Sequence, residues 1–344
     1  MATPLLVDTD PGIDDALALL AAWNSPEVVV EVVTTVAGNV TVEQATTNVC
    51  RLLALRKPDP APVVAIGAPD PLARQLVTAT RYHGADGLGD LDDWPAVGRG
   101  ELAAAVPLIL DRARRQQRLL TIVALGPMTN LALALKADPA AMKFVGRVVA
   151  MGGAVDVPGN VTPAAEFNMY VDPEAAHRVL AAGLSLDLVP LDATRQAVLP
   201  RAGLKKALSR AAGPLAARLP LHLVPLDATR QAVLPRAGIK SAFRRVSGPL
   251  ADRIVAFSER GFRIDHASGS QGLVLHDPLA LALAIDPTLA EWESVRLVIG
   301  PDGETLRASG EPNCRIAKRI DADRFLRLFL DRLCPPSLRR RASS

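Results

Sequence analysis

Short apolar, β-branched runs alternate with helical segments along the first half of the chain, and this alternation constrains the fold more than any other feature. "PLLVDTD" is followed by "IDDALALLAAWNS" and "EVVVEVVTTVAGN", and the pattern continues through "PVVAI", "ELAAAVPLILDRARRQQ", "LLTIVAL", "MTNLALALKA" and "RVVAMGG". The strand segments are apolar at nearly every position, as in strands covered on both faces. The expected fold class is α/β, a mostly parallel central sheet with helices on both faces and an open Rossmann-like core. Later segments fit: the helix "DPEAAHRVLAAG", a strand near 184–191, a helix near 249–261, a helix opening at "HDPLALALAI", strands near 293–299 and 314–320, and the terminal helix "DADRFLRLFLDRL". One domain is expected over residues 1–334, with a basic tail, 335–344, that frays.

With 49% hydrophobic and 22% charged residues among 344, the chain has ample material for a core. The net charge of +3 is small and part of it sits in the closing "LRRRASS", so no nucleic-acid face is expected. Cys50, Cys314 and Cys334 are too few and too scattered for a disulfide framework or zinc site. Acidic residues come too early in "MATPLLVDTD" for a signal peptide, and no apolar run is long enough to span a bilayer. A cytoplasmic protein without membrane contact is expected.

"LVPLDATRQAVLPRAG" occurs at 188–203 and again at 223–238, so that 188–222 and 223–257 form a tandem duplication. Two copies cannot make a solenoid. Only one can fill a given slot in a sheet, leaving the other to add at an edge, loop out or compete for register.

In α/β sheets, ligands gather at the carboxyl ends of the strands. Asp8, Asp10, Asp14 and Asp15 crowd the end of the first strand and the start of the next helix. A helix dipole offers each carboxylate about 0.3–1 kcal/mol, less than their mutual repulsion in a partly buried cleft. An all-oxygen cluster points to a hard divalent cation, calcium before magnesium. Capping and solvation of the helix end is the alternative.

"DTDPGIDDALAL" (8–19), "HGADGLGD" (83–90), "ALGPMTNLA" (124–132), "MGGA" (from 151), "GNVTPAAEFNMYVDPEAA" (159–176) and "HDPLA" (from 276) together resemble the inosine-uridine preferring nucleoside hydrolases. The resemblance implies a nucleoside-hydrolase-like fold and calcium-dependent cleavage of the N-glycosidic bond of ribonucleosides to ribose and free base. It implies Ca2+ held by Asp10, Asp15, Asp277 and the carbonyl of Leu125, and ribose held by Asp14, Asn39, Asn160, Glu166 and Asn168. Water activated by the metal would lose its proton to Asp10 as general base, and His276, assisted by His83, would serve the leaving base. A homodimer or homotetramer is implied as well.

Read singly, Asn39 and Asn160 are turn residues, Glu166 a solvated loop charge and Asp277 an N-cap before Pro278. Tyr82, Tyr170 and Phe262 are the candidates to grip the base, and His266 falls in the Gly-rich stretch "GFRIDHASGSQG". Two other readings are a haloacid-dehalogenase-type phosphatase with Asp8 as nucleophile, which Gly12 disfavours, and a non-catalytic calcium- or nucleoside-binding protein. None of the implied site residues lies in the duplication. The calcium site is therefore expected to survive the duplication while stability or oligomer contacts suffer; deleting residues 188–222 should not lower the melting temperature by calorimetry, and a lower one contradicts this.

Overall fold

The computed structural model describes residues 2–98, 100, 102–211 and 249–334. Its strands are β1 (Thr3–Thr9), β2 (Val28–Thr35), β3 (Val63–Ile66), β4 (Ala103–Ala104), β5 (Thr121–Ala124), β6 (Arg147–Met151) and β7 (Leu186–Val189). They continue with β8 (Val198–Leu199), β9 (Leu273–Val274), β10 (Ala290–Val295), β11 (Leu297–Ile299), β12 (Thr305–Arg307) and β13 (Cys314–Ile320). The main sheet runs β10-β13-β7-β6-β5-β1-β2-β3-β4. Every neighbouring pair in it is parallel except β10 with β13. The chain moves outward from β1 through β2 to β4, then returns to the far side of β1 for β5, β6 and β7. Strand order therefore reverses between β1 and β5, where a crevice opens at the carboxyl ends.

Successive side chains of a strand point to opposite faces, and the core divides accordingly. Leu5, Val7, Val33, Val123 and Val149 pack with the helices Ile13–Ala22, His276–Ile285 and Ala322–Leu333. Leu6, Val32, Ile122, Val148 and Ala150 pack with Ala105–Gln116, Thr129–Ala137 and Pro173–Ala181. Both faces are thus buried, which is why the strand segments lack polar alternation. Among the described residues no helix is long and apolar enough to cross a membrane.

Three segments differ from the sequence reading. The helix expected from Glu101 starts at Ala105, after the short β4. The strand near 293–299 is two strands, β10 and β11, in different sheets. The helix near 249–261 runs on to Ala267 and carries His266 in its last turn instead of in a loop. Its buried face, Ile254, Phe257, Ser258, Gly261, Phe262 and Asp265, keeps helical spacing past the glycine. Gly261 suits that position because a Cβ would come within 2.6 Å of Leu273 Cδ1.

The first copy of the duplication supplies Leu188 and Val189 of β7, the short helix Leu191–Thr194, β8 and the helix Arg201–Ala211. The repeated stretch of the second copy, up to residue 238, lies outside the described residues, as does the tail 335–344. Just ahead of the first repeat stands Asp187, almost wholly buried in β7. It accepts from Arg147 Nε (2.6 Å) and from Arg315 Nε and Nη2 (both 2.7 Å), tying β6 and β13 to β7. The matching position before the second repeat is His222, which offers no carboxylate to two guanidiniums. Asp187→His is expected to lower stability by about 3 kcal/mol, the low end for stripping one partner from a buried ion pair, since Arg315 is 46% exposed and can rehydrate. A loss of unfolding free energy under about 1 kcal/mol by urea titration contradicts this.

Candidate active site

Two helices buried along almost their whole length, Ile13–Ala22 and His276–Ile285, pack against each other and bring their first turns together. Those turns carry Asp14 and Asp15 on one helix and Asp277 on the other, and carboxylate oxygens of the three lie within 4.8 Å of one another. Asp15 is held by the Thr9 hydroxyl (2.6 Å), the Gly12 amide (3.0 Å) and Asn39 Nδ2 (3.1 Å). Asp10, just past β1, accepts the Asn39 amide on Oδ2 at 2.6 Å. Its Oδ1 is buried without a hydrogen-bond partner among the described residues. Gly38 leaves the space this needs, because a Cβ there would sit 2.0 Å from Asp10 Oδ2.

Burial, and then the neighbouring carboxylates, pushes Asp10 and Asp277 well above the ordinary carboxylate range and Asp14 up to about 8. Two converging helix N-termini favour the negative charge only modestly. A buried acceptor without a donor, beside three mutually repelling carboxylates and no thiol, suits a hard divalent cation. The Leu125 carbonyl, at the end of β5, is also present and accepts Asn168 Nδ2 at 2.7 Å. The tight triad is thus Asp14, Asp15 and Asp277, with Asp10 beside it.

Above the cluster lies a cleft of about 750 Å³. Asp14, Asn39, Leu125, Asn160, Glu166, Asn168, His83, His276 and Asp277 all line it. Glu166 is no solvated loop charge: it is 2% exposed, caps the helix Phe167–Val171 and accepts the amides of Asn168 and Gly153. Asn160 is exposed and accepts the Phe167 amide at 3.0 Å.

Burial pushes both His83 and His276 down to about 4, so each is a neutral imidazole at pH 7 instead of an acid poised near neutrality. His83 Nδ1 accepts the Ile13 amide (3.0 Å), and its ring lies where a side chain at Gly12 would be. It therefore also anchors the start of the first helix.

Of the aromatic candidates, only Tyr82 lines the cleft, its hydroxyl donating to Asp265 Oδ1 at 2.8 Å. Tyr170 lies under Arg74, and Phe262 is buried beneath Arg201. Phe167, Asp265, Leu191, Arg195 and Val198 line the cleft without having been singled out. Phe167 stood inside a quoted motif, but the last three belong to the duplication, whose repetition hid their contribution. Asp8 points with Leu6 to the other face, where the Thr34 hydroxyl and Asn130 Nδ2 bind it. Fully buried, it is out of reach as a phosphatase nucleophile.

A family model described as inosine-uridine preferring nucleoside hydrolase matches residues 5–327. The chain belongs to that family. A pyrimidine-specific ribonucleoside hydrolase RihA of Salmonella agona is 43% identical over 210 residues, 60% of this chain and 66% of that protein. The chain thus spans 66% of the length of the curated relatives it matches. Among solved structures, a plant nucleoside hydrolase, PpNRh1, is similar with a TM-score of 0.80 and 29% identity, covering 98% of this chain and 100% of that one. A purine-preferring ribonucleoside hydrolase from Gardnerella vaginalis has a TM-score of 0.80 and 27% identity, with 98% and 99% covered.

Raised carboxyl pKa values mean that the folded state keeps protons the unfolded chain releases, so stability falls as pH rises toward the folded values. The two histidines oppose this, but only between about 4 and the ordinary 6.5. With divalent cations chelated, stability is expected to fall between pH 6.5 and about 8, by roughly 1.4 kcal/mol per pH unit for each such carboxyl. Added calcium should flatten the slope. A chelated sample whose thermal midpoint holds or rises across that window refutes the carboxyl assignment.

Proposed function

We propose that this chain hydrolyses the N-glycosidic bond of ribonucleosides, releasing ribose and the free base, with calcium held by the carboxylates of Asp10, Asp15 and Asp277 and the Leu125 carbonyl. The observation that supports it most is the convergence of buried carboxylates from residues 10–15 and 277 beneath the cleft of a nucleoside hydrolase family member. When bound, calcium supplies the charge that neutralises the cluster and makes a nearby water more acidic.

The chain's own residues account for the rest. Asp10 Oδ1, buried and unpartnered among the described residues, accepts the proton of the attacking water. Asp14, Asn39, Asn160, Glu166 and Asn168 line the cleft as ribose partners, although Glu166 already spends both oxygens on backbone amides. The acidic floor stabilises positive charge that develops on the sugar as the bond to the base stretches. Attack by water without a covalent intermediate predicts inversion at the anomeric carbon. His276 and His83 line the wall as neutral hydrogen-bond donors toward the departing base.

Inosine, uridine and cytidine, each with and without a calcium chelator, test this by release of reducing sugar. Release that chelation abolishes is expected, with Asp10→Asn lowering kcat by about 100-fold or more and leaving the melting transition in place. Binding without release from any of the three nucleosides marks a non-catalytic binder, and release of equal rate after chelation removes the metal from the reaction.

A further inference from the structure

We propose that Thr194 is a positioning residue that fixes His276 as the Nε2–H tautomer and so aims a hydrogen-bond donor at the departing base; this rests on the hydrolase reading above.

Thr194 is fully buried, and its hydroxyl oxygen lies 2.7 Å from His276 Nδ1. One hydrogen occupies that contact. Either the hydroxyl donates to an unprotonated Nδ1, or a protonated Nδ1 donates to the hydroxyl. In the second arrangement the hydroxyl hydrogen is buried with no acceptor among the described residues, a condition that buried polar groups avoid. The first satisfies both groups and leaves the ring hydrogen on Nε2. That nitrogen has no partner among the described residues, and His276 lines the cleft.

The pair is held in register by the backbone. The Leu275 amide donates to the Ala197 carbonyl at 2.9 Å, and β8 pairs with β9 through Val198 with Val274 and Leu199 with Leu273. Thr194 ends the buried helix Leu191–Thr194, and its neighbours Leu191, Arg195 and Val198 line the same cleft. A tautomer set by a side chain is only useful if the two cannot slide apart, and this short ladder prevents it.

In the hydrolysis, the electron pair of the broken C1′–N bond goes to the base. Water supplies the hydroxyl that ends on C1′ and the proton that ends on the base. Nε2–H lowers the barrier by donating to the base while its charge develops, and the imidazole ends the cycle unchanged. The other tautomer would present a lone pair to an electron-rich leaving group.

Thr194→Val and Thr194→Ser are compared on inosine or uridine and on 4-nitrophenyl β-D-ribofuranoside, whose phenolate leaves without a proton. Thr194→Val is expected to lower kcat on the nucleoside by about 10- to 100-fold with KM nearly constant. Its rate on the nitrophenyl riboside should drop far less, and Thr194→Ser should recover the nucleoside rate. Equal losses on both substrates, no loss, or failure of serine to restore activity overturns the proposal in favour of a packing role. A long-range 1H–15N spectrum of the substrate-free protein at neutral pH supplies a readout independent of turnover. Wild type should show His276 protonated at Nε2 alone, and Thr194→Val should show a mixture. The opposite tautomer in wild type overturns the proposal. Should no nucleoside be cleaved, the hydrolase reading fails while the tautomer result still stands or falls by the spectrum.

Discussion

Buried carboxylates that repel one another must be held apart from water and close together at the same time, and the surrounding architecture answers that demand. The two helices that carry Asp14, Asp15 and Asp277 are apolar almost all round, and their burial keeps the acidic first turns at the bottom of a cleft. Helix N-termini and amide donors offset part of the cost. The Thr9 hydroxyl, the Gly12 amide and Asn39 spend their hydrogens on Asp15 and Asp10. What these donors leave uncompensated is buried negative charge, which the calcium proposed above would neutralise. A cluster this costly persists where it is used, and it lies at the crossing from β1 to β5, where an α/β sheet places its ligands.

Burial acts on the cleft's histidines in the opposite sense. By removing water it favours the uncharged rings of His83 and His276, both of which line the cleft. For such rings orientation counts for more than acidity. The Ile13 amide donates to His83 Nδ1, and the Thr194 hydroxyl lies 2.7 Å from His276 Nδ1. Burial thereby hardens the demand for positive charge among the carboxylates and removes it from these two rings.

Among the described residues, the first copy of the repeated segment supplies the end of β7 and all of β8. The core residues Leu188, Val189, Leu191, Ala197 and Leu199 of the first copy recur letter for letter in the second, so over this stretch hydrophobicity does not tell the copies apart; Leu204 and Leu208 further on correspond to Ile239 and Phe243. A further difference lies one residue upstream, where Asp187 meets Arg147 and Arg315 and where the second copy has His222. An ion pair adds little to stability when compared with a well-packed apolar substitute, but losing one member is costly, and such pairs are suited to choosing between otherwise equal partners.

The strand–helix alternation by itself determined the α/β class and the covered, mostly parallel sheet, because side-chain period and apolar content are local properties of the chain. The acidic cluster after β1 was legible for the same reason: Asp10, Asp14 and Asp15 stand within six consecutive residues of the sequence. Glu166, Asn168 and Asp277 were reached through motifs alone. Only the tertiary structure decided which distant groups meet. It made Asp14 the near neighbour of Asp277, turned Glu166 into a buried helix cap, set Tyr82 apart from Tyr170 and Phe262, and placed Thr194 and Arg195 of the repeated segment beside the cleft. Burial and long-range proximity set protonation and hydrogen-bond direction, and both depend on how the elements pack, which the local pattern along the chain does not encode.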